Sequence, residues 1–366
     1  MKDHLKYEIA LTLIPNIGDI LAKKLIAYCG NAEQVFKEKR SLLEKIPGIG
    51  SVYAKSILNH SVFDRAEAEI RFISDHRIQP VFYQDSAYPK RLTYCDDGPV
   101  MLYFKGDTDL NAKKVISIVG TREATDYGKD LCERLVRDLA DYQVLIVSGL
   151  AHGIDAYAHR AAIDQQLSTV CVLAHGLDRI YPAINRPLAM KMLEKGGWLS
   201  DFMSRTKADK ENFPRRNRIV AGISDATIVI ESKAKGGSLI TAEIANSYSR
   251  DVFAFPGRVD DHSSAGCNNL IRQHKAALIQ SAADVIYSLG WEKNSGTTKA
   301  IQKQLFVELK PNEELIVCIL KEKQQLPIDD LCLLCKLPMS IVSSVLLTLE
   351  FAGIIKSLPG KMYRLN

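Results

Sequence analysis

Val115-Ile-Ser-Ile-Val119-Gly120-Thr121-Arg122 and Val144-Leu-Ile-Val147-Ser148-Gly149 are two short, nearly continuous apolar runs, each closed by small and polar residues. A strand buried on both faces has this composition. Thr169–Ala174, Ala226–Glu231 and Val252–Phe255 repeat it. Apolar residues at helical spacing predict helices between and after them, over Tyr127–Ala140, Ile154–Gln165, Ile184–Glu194, Arg215–Ile223 and Leu239–Ser249. This alternation predicts an α/β domain: an extended Rossmann-like, doubly wound and mostly parallel sheet over residues 76–292.

Working outward, residues 1–75 read as short helices with an internal repeat. Ile14-Pro-Asn-Ile-Gly18 and Ile46-Pro-Gly-Ile-Gly50 recur at an interval of 32 residues, each a tight turn leading into a helix. This predicts a helix-hairpin-helix-like unit, in which the Gly48 and Gly50 amides can face a phosphate as a secondary DNA contact. A hairpin used only for packing would look the same, and Asn16 at the first glycine position weakens the other copy. Residues 293–310 are polar and read as a linker. Residues 311–366 show three helices, near Glu313–Lys321, Ile328–Cys335 and Ser340–Ala352, and a terminal hairpin, which describe a winged-helix-like domain.

The chain has 366 residues, 46% hydrophobic and 25% charged, with a formal net charge of +5. This mild basic excess permits an anionic partner without requiring one. No apolar run approaches the roughly 20 residues that span a bilayer and no signal peptide opens the sequence, so a soluble, cytoplasmic protein without membrane contact is expected. The eight cysteines lie mostly in apolar runs and read as reduced thiols. Cys332 and Cys335 have zinc-like spacing but no second pair nearby, so no metal is expected.

Ligands of open α/β sheets bind at the carboxyl ends of the strands. Four segments there are suited to anions. Gly120-Thr121-Arg122 offers close backbone approach and a guanidinium fork; a plain turn with a solvated arginine reads equally well. Ser148-Gly149-Leu-Ala-His152-Gly153-Ile-Asp155 offers a glycine-rich cradle with Ser148 as an extra donor. Asp155 suits a helix cap, and His152 and His159 suit structural or ligand-orienting roles, since no nucleophile or paired carboxylate accompanies them. In Asn212-Phe-Pro-Arg215-Arg216-Asn217-Arg218, Pro214 reads as the helix start, which places three arginines against the positive end of the helix dipole. Breaking a local rule this densely points to a bound polyanion. Gly236-Gly237-Ser238 opens a further helix, with Glu243 beyond it as a catalytic or sugar-binding candidate. Neither the dinucleotide fingerprint nor the P-loop pattern occurs, so no NAD, ATP or other cofactor is expected.

Taken in order, Gly120-Thr-Arg122, Ser148-Gly-Leu-Ala-His-Gly-Ile-Asp155 with His159, Pro214-Arg-Arg-Asn-Arg-Ile219, Gly237-Ser-Leu-Ile-Thr-Ala-Glu243 and Phe253-Ala-Phe-Pro-Gly257 resemble the DprA/Smf family, DNA-processing proteins of natural transformation. The resemblance covers about residues 80–290. It implies sequence-nonspecific single-stranded DNA binding, protection of incoming DNA, loading of the RecA recombinase, homodimerisation through the central domain, and no catalytic reaction. It assigns phosphate contact to Arg122, Arg215, Arg216 and Arg218, and the groove lining to Ser148, Gly149, Gly237 and Ser238; Gly120, Thr121, Asn217 and Gly236 join them as expected nucleic-acid-binding residues. Two alternatives stand beside it. The sheet also resembles nucleoside-monophosphate phosphoribohydrolases, for which Glu243 would serve catalysis. A duplex-DNA-binding regulator would act through the winged helix, although Asp329 and Asp330 favour protein contact there.

Overall fold

A computed structural model describes residues 2–292, 309–358 and 362–365, and the chain divides into two units, Met1–Asn294 and Ser295–Asn366. In the first, the sheet holds β1 (Gln79–Phe82), β2 (Met101–Gly106), β3 (Val115–Val119), β4 (Leu145–Ser148), β5 (Thr169–Val172), β6 (Gly197–Ser200), β7 (Ala226–Val229), β8 (Asp251–Ala254) and β9 (Ala277–Leu278). Their order is β1-β2-β6-β5-β4-β3-β7-β8-β9. Pairing is parallel from β6 to β9 and antiparallel at β1, β2 and β6.

The chain starts its parallel part at β3, steps outward through β4, β5 and β6, then crosses to the other side of β3 for β7. The winding therefore reverses between β3 and β7. Alternate side chains feed the two layers, as the strand period of two requires. Val115, Val119, Leu145 and Val147 pack with Ile219, Val220, Ala242 and Ala245 of helices Asn212–Gly222 and Gly237–Ser247. Ile116, Ile118 and Ile146 pack with Leu131, Leu135, Ile154 and Ala158 of helices Asp126–Leu139 and Ile154–Asp164.

The structure departs from the sequence reading in two respects. β1, β2, β6 and β9 extend the sheet where no strand was expected. β6 opens on Gly197 because its neighbour β2 crowds it: a Cβ there would come within 2.7 Å of the Lys105 carbonyl oxygen. The arginine-bearing helix starts at Asn212, so Pro214 sits inside its first turn, where amides have no intrahelical partner to lose. Arg215, Arg216 and Arg218 therefore lie beyond the first turn, and the dipole penalty argued from Pro214 does not apply.

Residues 2–75 form six short helices on the sheet's antiparallel side. Asn16 (φ 66°) and Gly48 (φ 86°) are both left-handed, and Gly18 and Gly50 both cap the helix that follows. The two turns thus share a backbone despite the asparagine, which tolerates this region.

The second unit is a winged helix. Helices Pro311–Lys323, Ile328–Cys335 and Met339–Phe351 pack with β10 (Gln325–Pro327), β11 (Ile355–Leu358) and β12 (Met362–Leu365) in the order β10-β12-β11. β10 adds a third strand to the expected hairpin, whose turn, like the linker up to residue 308, lies outside the described residues. Among the described residues no single helix is long and apolar enough to cross a membrane, and no three His, Cys, Asp or Glu side chains converge as a metal site.

Candidate nucleic-acid interface

A cleft of about 620 Å³ opens at the carboxyl ends of β3 and β7, the switch point of the sheet. β3 delivers Gly120, Thr121 and Arg122; β7 is followed by Ser232 and Lys233; helix Asn212–Gly222 contributes Phe213, Arg216 and Asn217; helix Gly237–Ser247 presents Gly236, Gly237 and Ser238. Lys210 and Lys235 add positive charge, against the carboxylates of Glu123 and Asp155.

Arg216 is the unusual member. It is only 5% exposed, and its Nε, inside the protein, has no hydrogen-bond partner. Burial lowers its pKa, and the Asp155 carboxylate opposes that shift. Gly149 makes the seat: a Cβ there would come within 2.5 Å of the Arg216 Cζ and closer still to its Nη1. Asp155, also buried, accepts from the Ala151 amide at 3.3 Å. Burial raises its pKa, and the neighbouring Arg216 cation pulls it back. The Ser148–Gly149 segment therefore seats a guanidinium rather than lining the groove. Neither residue is at the cleft surface, and the Ser148 hydroxyl is spent on the Ile118 carbonyl at 2.6 Å.

His159 lies in the same interior. The Thr169 hydroxyl donates to the Ile146 carbonyl at 3.0 Å, so His159 Nδ1 donates to Thr169 Oγ1 at 2.7 Å, and Nε2 is left without a partner. Burial, helped by the Arg216 charge, lowers its pKa to about 3, so the ring is neutral. His152 is exposed and does not line the cleft.

The arginine run is divided. Arg215 and Arg218 share a face, as their i,i+3 spacing predicts, but that face turns away from the cleft. The Arg215 guanidinium lies over the Phe202 ring at 5.4 Å. Arg218 Nη2 binds Asp201 at 2.8 Å and Asp19 at 3.0 Å, and Nη1 donates to the Asp97 carbonyl. Burial opposes its charge, yet the two carboxylates outweigh that and raise its pKa. Arg218 thus ties the N-terminal helices to the sheet, a role set by residues far off in sequence.

Thr121 gives up its amide to the Glu231 carbonyl at 2.7 Å, and its Oγ1 accepts from the Glu123 amide at 3.2 Å. Glu231, buried, takes the Thr125 hydroxyl at 2.6 Å and amide at 3.0 Å, locking the loop that carries Arg122. Arg122 is exposed and stands 5.6 Å from the Phe213 ring, which lies 6.0 Å from that of Tyr181. At helix Gly237–Ser247 no side chain caps the first amides, and the Ser238 hydroxyl donates to Ser232 Oγ at 3.0 Å. Gly48 and Gly50 lie in the turn before helix Ser51–Leu58, outside the cleft lining. Glu243 is also outside it and pairs with Lys275 at 3.3 Å in solvent.

Sequence reasoning missed Tyr181, Lys210, Glu123 and Lys233. Lys233 was discoverable, since it lies in the loop that follows a strand on the ligand-binding edge. Tyr181 reaches the cleft from a loop beyond β5 that no periodicity marks.

The profile of the family described as DNA recombination-mediator protein A matches residues 79–290, and that of the DprA winged helix domain matches 307–361. Protein Smf of Synechocystis is 31% identical over 98% of this chain and 98% of its own. DNA processing protein DprA of Bacillus subtilis is 42% identical over 55% of this chain and 68% of its own. Among solved structures, DprA from Streptococcus pneumoniae matches with a TM-score of 0.66 and 32% identity, covering 77% of this chain and 97% of that one. A structure of DNA processing protein A from Helicobacter pylori, which describes its single-stranded DNA binding mode, matches with a TM-score of 0.53 and 32% identity, covering 58% and 95%. The fold, the order of the motifs and the span of these matches agree: the chain belongs to the DNA recombination-mediator protein A family, the DprA and Smf proteins.

Proposed function

We propose that the protein binds single-stranded DNA through its phosphates along the cleft, shields it, and delivers it to a RecA-type recombinase during transformation or recombination. One observation carries the reading: a buried guanidinium with an unpartnered Nε at the floor of a basic cleft. Removing a cation from water costs several kcal/mol unless an anion compensates it. Asp155 supplies part of that compensation, and a phosphate entering the cleft supplies more. A recessed charge of this kind suits a backbone thin and flexible enough to bend inward, as a single strand is and a duplex is not. Phe213 and Tyr181 beside Arg122 offer faces on which unpaired bases stack, which needs no particular sequence. The structure from Helicobacter pylori, in a relative of the same fold, supports the same ligand class. RecA delivery and pairing of two copies through the sheet domain follow the family resemblance.

The test is a titration of labelled single-stranded oligonucleotide at several salt concentrations. Affinity is expected to fall as salt rises, and Arg122→Ala to make the logarithmic slope shallower by about one phosphate contact. Binding indifferent to salt, or equal in wild type and Arg216→Gln, sinks the reading.

Glu123 sharpens the test. Its carboxylate pairs with Lys233 across the mouth of the cleft, both side chains in solvent. An entering phosphate competes with Glu123 for that ammonium. Glu123→Gln is therefore expected to tighten single-strand binding a few-fold and steepen its salt dependence, both read in the same titration.

A further inference from the structure

Ile184 is 74% exposed, and its backbone is held there. The next residue, Asn185, is only 3% exposed and donates through Nδ2 to the Leu150 carbonyl at 2.9 Å and the Ala151 carbonyl at 3.3 Å. The loop before helix Arg186–Met192 is therefore pinned to the loop after β4. Ala151 lines the cleft, as does Tyr181, three residues before Ile184. Ile184 instead lines a second hollow, of about 330 Å³. One pinned loop thus divides two hollows, with Tyr181 in the first and Ile184 in the second.

Sequence spacing builds the second hollow. Ile184, Pro187, Leu188 and Lys191 fall at i, i+3, i+4 and i+7 through the turn Ala183–Asn185 and the helix after it. Arg160, Ile163 and Asp164 fall at i, i+3 and i+4 in helix Ile154–Asp164. Each set shares one face, and the two faces form the walls of a groove. Leu188 is buried and Ile163 half-buried, so the floor is apolar, while Arg160 and Lys191 are exposed at the rim. Arg160 makes no ion pair with Asp164 one turn on; its guanidinium lies over the Tyr157 ring at 5.2 Å. Both rim cations therefore stay open to an outside anion.

An apolar floor between cations matches a nucleic-acid single strand, whose bases lie on the floor while its phosphates reach the rim, with no sequence read. The groove also begins where the wall of the cleft ends. We propose that the groove between helices Ile154–Asp164 and Arg186–Met192 is a second stretch of the single-strand path, taking the nucleotides that leave the cleft past Tyr181. Arg160 and Lys191 hold their phosphates, Ile184 packs on a base at the crossing, and the Asp164 carboxylate closes the far end. The proposal rests on the reading of the cleft as a DNA site.

It is tested on the full chain with thymidine oligonucleotides of about four and about twenty nucleotides, titrated at several salt concentrations. Arg160→Gln combined with Lys191→Gln is expected to weaken the long oligonucleotide about tenfold and to leave the short one, which the cleft accommodates alone, as in wild type. Two phosphate contacts on a single strand amount to about 1.4 in the logarithmic salt slope, so the slope for the long oligonucleotide should be shallower by that much. Ile184→Ser should weaken the long oligonucleotide at an unchanged slope, because it displaces no counterion. The three side chains are in solvent, so thermal melts should match wild type. Loss at both lengths alike, or at neither, overturns the proposal. Arg216→Gln, run in parallel, should weaken both lengths; equality with wild type there defeats the cleft reading, whatever the groove variants do.

Discussion

Gly149→Ala is expected to weaken single-stranded DNA binding about as much as Arg216→Ala does, although it removes no charge. The Arg216 guanidinium packs on the Gly149 Cα, and a methyl group there overlaps it. Gly149 does not have a positive φ, so alanine fits its backbone and the variant acts by displacing the cation. Hydrogen bonds to charged groups contribute about 1.5–3 kcal/mol each, so losing the seated contact should cost ten- to a hundredfold in affinity. The two variants differ in stability. Arg216→Ala leaves the buried Asp155 carboxylate without its cation, so it should be destabilised near neutral pH and recover as Asp155 takes a proton. Gly149→Ala keeps the ion and need only shift it. Oligonucleotide titrations and thermal melts of both variants check this. Full affinity in Gly149→Ala would mean that Arg216 reaches DNA from another position or not at all.

The interior of the sheet was legible because strands buried on both faces need apolar residues at every position. All five strands read from composition, β3, β4, β5, β7 and β8, lie in its parallel interior. β1 and β2 pair antiparallel beyond β6, and β1 contains Pro80. β6 starts on a glycine that backbone crowding imposes. β1 and β6 lack the local pattern that marks a strand, since tertiary packing decides them, whereas β2 does carry a continuous apolar run, Met101-Leu-Tyr-Phe104, that went unread beside its flanking proline. The candidate site was legible at the strand ends, where topology alone says a ligand should sit. Gly120, Arg122, Arg216, Gly236 and Ser238 meet there. The run Arg215-Arg216-Asn217-Arg218 shows the limit. Spacing said which arginines share a face but not which face meets the cleft. Asp19, 199 residues from Arg218, and Asp201, 17 residues away, settle that, and nothing in the local sequence names them as partners.

That clamp should carry stability rather than binding. Arg218→Met removes the cation from two carboxylates, one of them, Asp201, buried with its Oδ1 unpartnered. Breaking one side of a buried ion pair costs about 3–5 kcal/mol, on the order of a 10 °C fall in melting temperature for a domain of this size. The loss should depend on pH. Burial raises the pKa of Asp201 in the folded protein and Arg218 holds it down, so the variant raises it further. A carboxyl whose folded pKa exceeds its unfolded value near 3.9 contributes stability while protonated, and that contribution fades as pH rises through the folded value. The deficit of Arg218→Met against wild type should therefore be smaller at pH 5 than at pH 8. Adding Asp201→Leu should restore part of the loss by removing the stranded charge. Arg218 faces away from the cleft, so single-strand affinity measured well below the melting point should change little. If Arg218→Met melts like wild type but binds DNA poorly, the clamp is the wrong account and Arg218 belongs with Arg216 among the DNA contacts.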